Sequence, residues 1–150
     1  MATSLRRTAA FVAVLAAVGA TAAGTWAASL VSYGGRTSQG RAFTLTVGGG
    51  GVRFRIDWTA GCADGGKPFR AQTASQRGLP DTGGAFTSHE TYNARASDGA
   101  MVHYDIRIGG RIHARTAAGV WRAVATGPYK NGGSYRCETG RITWKARRTA

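Results

Sequence analysis

Apolar and polar residues alternate along several short segments of this chain, which is the period of a β-strand buried on one face. Along 52–58, four apolar residues alternate with two arginines and an aspartate. Along 141–147, Ile142, Trp144 and Ala146 alternate with basic residues and a threonine. No helical period of useful length follows the first 22 residues, so the pattern predicts an all-β chain.

Glycine-rich segments separate these runs from others of the same kind, an arrangement typical of antiparallel strands joined by turns. We expect an antiparallel β-sandwich or flattened barrel of seven to eight strands, with aromatic and aliphatic residues inside. The further runs lie at 43–47, 86–92, 102–108, 112–114 and 120–125.

The segment from 101 to 125 is interpreted as a three-stranded meander with its first turn at Gly109–Arg111. A three-residue loop preserves the parity of the apolar positions and pairs Ile108 with Ile112. The same register pairs Asp105 with Arg115.

The next strand is ambiguous, because either Trp121 or Arg122 could face the core. Burial of an unpaired arginine costs several kcal/mol, roughly, so we expect Trp121 inside and Arg122 outside. A two-residue turn at 117–118 then places Arg122 opposite His113, which itself lies opposite Arg107. This arrangement predicts a row of three basic or potentially basic groups on the outer face, a candidate site for an anion.

The N-terminal residues have the composition of a secretory signal. Two arginines precede an uncharged run from Thr8 to Ala23 that is rich in alanine and valine, and small residues place cleavage near Ala22. An uncleaved membrane anchor is the alternative, but a spanning helix needs about 20 strongly apolar residues. We therefore expect a helical signal peptide (1–22), a flexible N-terminal segment (23–32) and a β-sandwich domain (33–148), with no membrane span after cleavage.

The chain has two cysteines, Cys62 and Cys137. An oxidising compartment favours a disulfide between them. A reactive thiol and a metal-binding pair are the alternatives, but neither cysteine lies in a motif that supports them.

Positive charge dominates the chain. Without Arg6 and Arg7, 18 of the 20 basic residues remain against 7 acidic residues, a net charge of about +11. A field of this sign attracts polyanions. The alternative is a solvated face that binds nothing, since charged strand faces are often only that.

Catalytic motifs are not evident in the sequence. No G-x-S-x-G element is present, and the seven carboxylates form no recognisable acid–base pair. The parity of the 86–92 strand turns Glu90 inward, so a small hydrolase that uses Glu90 with a histidine is an alternative. The predicted register separates His103 from His113 by about 13 Å, too far for one zinc ion, so we expect no metal and no cofactor.

Residues 137–146, Cys-Glu-Thr-Gly-Arg-Ile-Thr-Trp-Lys-Ala, follow Gly-Ala-Phe at 84–86 and a glycine-turned hairpin. This order resembles a family of small exported, disulfide-bonded β proteins of actinobacteria and related bacteria. The shared elements are C-x-[ST]-G-x-[IV]-x-W-x-A near the C-terminus and a single upstream cysteine. The resemblance covers roughly residues 33–147; it implies export, the disulfide and the β fold, and it assigns no functional residue.

Together these features predict an exported, monomeric, non-enzymatic binding protein of the cell envelope or extracellular space. Its expected ligand is an anionic wall polymer or glycan that contacts Arg107, His113 and Arg122. Nucleic acid is less favoured, because the predicted outer face lacks the aromatic residues on which bases stack. The alternatives are the hydrolase and a structural or partner-binding module, for which an exposed apolar patch is expected.

Overall fold

The computed structural model describes residues 29–75, 77–96, 98–130 and 132–149. These residues form an all-β, antiparallel architecture, as the alternation predicts, with nine strands where seven to eight were expected. The predicted signal peptide and residues 23–28 of the expected flexible segment lie outside the described residues. The strands are β1 (Val31–Thr37), β2 (Ala42–Gly48), β3 (Gly51–Cys62), β4 (Phe69–Ala74), β5 (Ala85–Arg95), β6 (Met101–Ile112), β7 (Thr116–Pro128), β8 (Ser134–Glu138) and β9 (Ile142–Arg148).

The strands are hydrogen-bonded in the order β4-β3-β2-β1-β9-β7-β6-β5. The short strand β8 pairs with both β3 and β7. Strands β3, β2, β1, β9, β7 and β8 therefore form a closed ring. Beyond it the sheet continues with β4 next to β3 and with β6 and edge strand β5 next to β7. The result is a flattened barrel in which the β4-β3-β2 side faces the β7-β6-β5 side.

Aromatic side chains fill the space between the two sides. The Trp58 and Trp121 rings lie 6.4 Å apart, and Phe69 approaches Tyr104 at 6.2 Å. Trp58, Trp121 and Trp144 are each 1% exposed. The predicted inward positions of the two clearest strands are confirmed, and Trp121 rather than Arg122 faces the core.

The predicted disulfide is present between Cys62 and Cys137. The two residues are directly opposite each other in the β3–β8 ladder, with their Cα atoms 3.9 Å apart. This ladder contains only one other register pair, Gly61 with Glu138. The covalent bond therefore lies at the short contact that completes the ring.

The predicted turn at Gly109–Arg111 is wrong. Strand β6 runs through these residues to Ile112, and the chain turns at 113–115 instead. Ile108 is opposite Trp121 and Ile112 is opposite Ala117. The expected pairs of Ile108 with Ile112 and of Asp105 with Arg115, and the turn at 117–118, are consequently not formed.

The reason lies on the inner face, where Gly110 of β6 is directly opposite Gly119 of β7. The Trp144 indole occupies the space that side chains would need there. A Cβ atom on Gly110 would overlap Trp144 Cζ2, and one on Gly119 would approach the same atom. Glycine inside a strand often marks such a close approach rather than a turn. We call this pair with its bound indole the glycine notch.

Adjacent glycines provide a test of the notch. Gly110→Ala should lower the free energy of unfolding by about 1–3 kcal/mol, because the methyl group overpacks against the indole. Gly109→Ala on the outer face should leave stability unchanged or raise it by up to about 1 kcal/mol, because a strand glycine is entropically costly. The nearest atom to a Cβ on Gly109 is 3.6 Å away.

Urea unfolding followed by tryptophan fluorescence measures both variants under oxidising conditions. Equal effects of the two substitutions would contradict the notch, since that is the outcome expected of two interchangeable turn residues.

Candidate functional site

Three basic side chains from three neighbouring strands lie in one row on the outer face of the sheet. His89 of β5 is opposite Arg107 of β6, and Arg107 is opposite Arg122 of β7. The period of two turns all three away from the core, and their side chains are 50%, 62% and 55% exposed. We call these three residues the basic row; it unites two of the three residues predicted from the sequence.

A groove runs beside the basic row and has a volume of about 580 Å³. The row forms one side together with Arg141, which precedes β9. Thr87, Gly109 and Val120 also line the groove. Gly109 is at an outward-facing position of β6 and has no side chain, so the outer surface is lowest at this point, where β6 lies between β5 and β7.

The counter-charges of the row lie on the side away from this groove. Asp105 precedes Arg107 by two residues on the same face of β6. Its Oδ1 atom lies 2.9 Å from Nε2 of His89 and 3.8 Å from Nε of Arg107. Exposed ion pairs of this kind contribute about 0–1 kcal/mol each, so the carboxylate orients the cations more than it stabilises the fold.

Glu138 plays the corresponding part at the other end of the row. It accepts hydrogen bonds from Arg136 Nε at 2.6 Å and from Arg122 Nη2 at 3.2 Å. The hydrogen bond from Arg136, followed by that from Arg122, lowers the pKa of the Glu138 carboxyl from its usual value. The carboxylate stabilises the fold above its ordinary pKa, and this contribution is lost as the pH falls through the lowered value.

His113, the third predicted member, does not lie in the row. It follows β6 in the turn to β7, where its N–H donates to the Thr116 carbonyl at 2.7 Å. Its own carbonyl accepts a hydrogen bond from the Tyr33 hydroxyl at 3.0 Å. The error follows from the misplaced turn: β6 continues to Ile112, so His113 lies beyond the end of the strand that carries Arg107 and not opposite Arg107. His89 and Arg141 were missed because the alternation does not show which distant segments pair.

Glu90 shares the strand parity of buried Phe86, as predicted, but its side chain is exposed because β5 is an edge strand. It accepts a hydrogen bond from the Ser88 hydroxyl at 3.2 Å. His89 points to the opposite face of β5. The cluster of Glu90 with a histidine that the hydrolase alternative requires is therefore not formed.

The remaining histidine, His103, contacts the Asn93 side chain at 2.9 Å. Within 29–75, 77–96, 98–130 and 132–149, no group of three or more His, Cys, Asp or Glu side chains is placed to hold a metal ion.

No family model, curated protein or solved structure matches this chain. The described part of the chain contains no helix long and apolar enough to cross a membrane.

The Glu138 contacts lead to a prediction about its titration. Arg136→Ala should raise the pKa of the Glu138 carboxyl, because the largest cause of its lowering is removed; Arg122→Ala should raise it by less. Carbon-13 NMR titration of the labelled carboxyl measures the pKa in each variant. Arg53→Ala on β3 is the control and should leave the value unchanged. A Glu138 pKa that is the same in the unchanged chain, in Arg136→Ala and in Arg122→Ala would show that neither arginine lowers it.

Proposed function

We propose that this chain is an exported, non-catalytic binding protein of the cell envelope or extracellular space, and that its basic outer face holds an anionic polymer or glycan. The observation that carries the proposal is that Arg107 and Arg122 are directly opposite each other in the sheet. Like charges in this position destabilise a sheet by a few tenths of a kcal/mol, roughly. An anion in the adjacent groove removes that repulsion.

The arginine side chains suit this role chemically. Each guanidinium carries five N–H donors, and the ion pairs of Arg107 with Asp105 and of Arg122 with Glu138 use only some of these donors. The remaining donors of Arg107, Arg122 and Arg141 are available to phosphate, sulfate or carboxylate oxygens in the groove. Arginine binds such groups through two parallel hydrogen bonds where the geometry allows.

Export is supported by the disulfide, which is consistent with an oxidising, extracellular compartment. The signal-like composition of residues 1–22 points the same way.

The partner-binding alternative has less support. The large apolar side chains that are at least about one-third exposed, among the residues described, come from four different parts of the chain rather than from one strand face. They are Leu30, Tyr92, Met101 and Tyr129.

Charge reversal tests the electrostatic proposal. The double variant Arg107→Glu/Arg122→Glu should elute from immobilised heparin, a linear sulfated glycan, at a much lower salt concentration than the unchanged chain. The slope of log affinity against log salt should become shallower by about 2, one unit for each lost contact, by analogy with phosphate contacts in nucleic acids.

The matched control is Arg53→Glu/Arg55→Glu, two exposed positions on β3 with the same change in net charge. The control should retain most of the binding. Equal losses of heparin affinity in the two double variants would mean that only net charge matters. An affinity that does not change with salt concentration would contradict the electrostatic proposal altogether.

A further inference from the structure

Three grooves follow one another along the outer face of β7. The first is the groove beside the basic row, which includes Val120. The second, about 490 Å³, is lined by Ala118 and Thr116, and the third, about 530 Å³, by Thr116 and Arg115. Because the second and third share Thr116, and the first ends two residues from Ala118, they succeed each other along one strand.

The register explains this shape. The outward side chains of β7 between Arg122 and the turn are all small: Val120, Ala118 and Thr116. The neighbouring strands carry long cations on both sides of the middle position, and Thr116 is paired with Arg147 of β9. Ala118 lies between Arg111 of β6 and Lys145 of β9 in the paired register. We call the low strip along 116–122 of β7, with its flanking cations, the β7 trough.

Charge along the trough has one sign. None of the described residues that line the three grooves is acidic, although all seven Asp and Glu residues of the chain lie in the described ranges. The cations that line the grooves come from β6, β7, β9 and the segments next to them. They are Arg107, Arg115, Arg122, Arg141, Lys145, Arg147 and Arg148.

We propose that the trough binds a linear polyanion lengthwise along β7, from the basic row at Arg122 to Arg147 at the other end. This placement rests on the proposed function and specifies the ligand as an unbranched chain with repeated anionic groups. The chain must span about 20 Å, the length of six residue steps along a strand. A compact anion would use only one end of the trough. A polymer whose anionic groups meet the cations at the middle and at both ends of the trough uses the whole length.

Among the residues that the structure describes, the outward side chains along the trough include no aromatic ring. Trp121, whose residue borders the first groove, is 1% exposed and packs its ring in the core. Binding of single-stranded nucleic acid usually relies on aromatic residues on which the bases stack. The trough therefore fits a flexible polyanion without bases.

Ala118→Glu tests the path of the ligand, because it places a carboxylate at the middle of the trough and leaves the basic row unchanged. The full, oxidised chain is titrated by calorimetry with two probes: long-chain inorganic polyphosphate, and tripolyphosphate, which is too short to reach from Arg122 to Arg147. We expect the affinity for the long chain to fall about tenfold or more, since like charges face each other across the contact. The affinity for tripolyphosphate should change by less than about threefold.

Ala74→Glu is the matched control, an exposed alanine on edge strand β4 with the same change of charge. It should leave both affinities close to those of the unchanged chain. If Ala118→Glu does not fold, as judged by circular dichroism, Lys145→Gln with Arg147→Gln replaces it, and the same loss confined to the long chain is expected.

The outcomes separate the trough from the proposed function. Equal small changes for both probes would overturn the lengthwise path and leave the basic row as the site. Failure of the unchanged chain to bind either probe would overturn the trough and count against the proposed function itself. Tighter binding of a single-stranded DNA oligomer of equal charge would overturn the choice of a polymer without bases.

Discussion

The packing of Trp144 against two paired glycines of neighbouring strands is the contact on which the rest of this structure depends. The indole stacks on Phe43 with ring centroids 4.2 Å apart and approaches Phe86 at 6.0 Å, so one side chain of β9 contacts residues of β2 and β5. It reaches them only because Gly110 and Gly119 have no side chains. Removal of the indole would leave a cavity in the core, and methyl groups added at the two glycines would overpack the same space. Either change would lower the free energy of unfolding by several kcal/mol, roughly.

The same constraint arranges the outer face. Because β6 must continue through Gly110 to form the notch, it cannot turn at 109–111, and Arg107 comes to lie opposite Arg122 rather than opposite His113. The residue before the notch, Gly109, faces outward by strand parity and leaves the groove beside the basic row. Core packing on one side of two strands and the charged groove on the other are thus consequences of a single register.

The sequence predicts those features that depend on the period of two. It predicts which tryptophans are buried, that Arg122 faces outward, and that the chain is antiparallel and all-β. It fails where two local signals compete, since Gly-Gly is a strong turn signal as well as a mark of close approach. Only the position of Trp144, 34 residues beyond Gly110, decides between them. His89 and Arg141 were missed because their neighbours are set by strand pairing between distant segments of the chain.

The placement of the few carboxylates adds a final step to this picture. Asp105 and Glu138 contact the arginines from the side opposite the groove. They hold Arg107 and Arg122 near one orientation, yet exposed pairs of this kind are too weak to compete strongly with a multivalent anion. The arginine side chains lose less conformational entropy on binding a polyanion when they are already oriented than when the polyanion must order them. The two acids are therefore expected to favour the proposed binding in the trough, although their charge is opposite to that of the site.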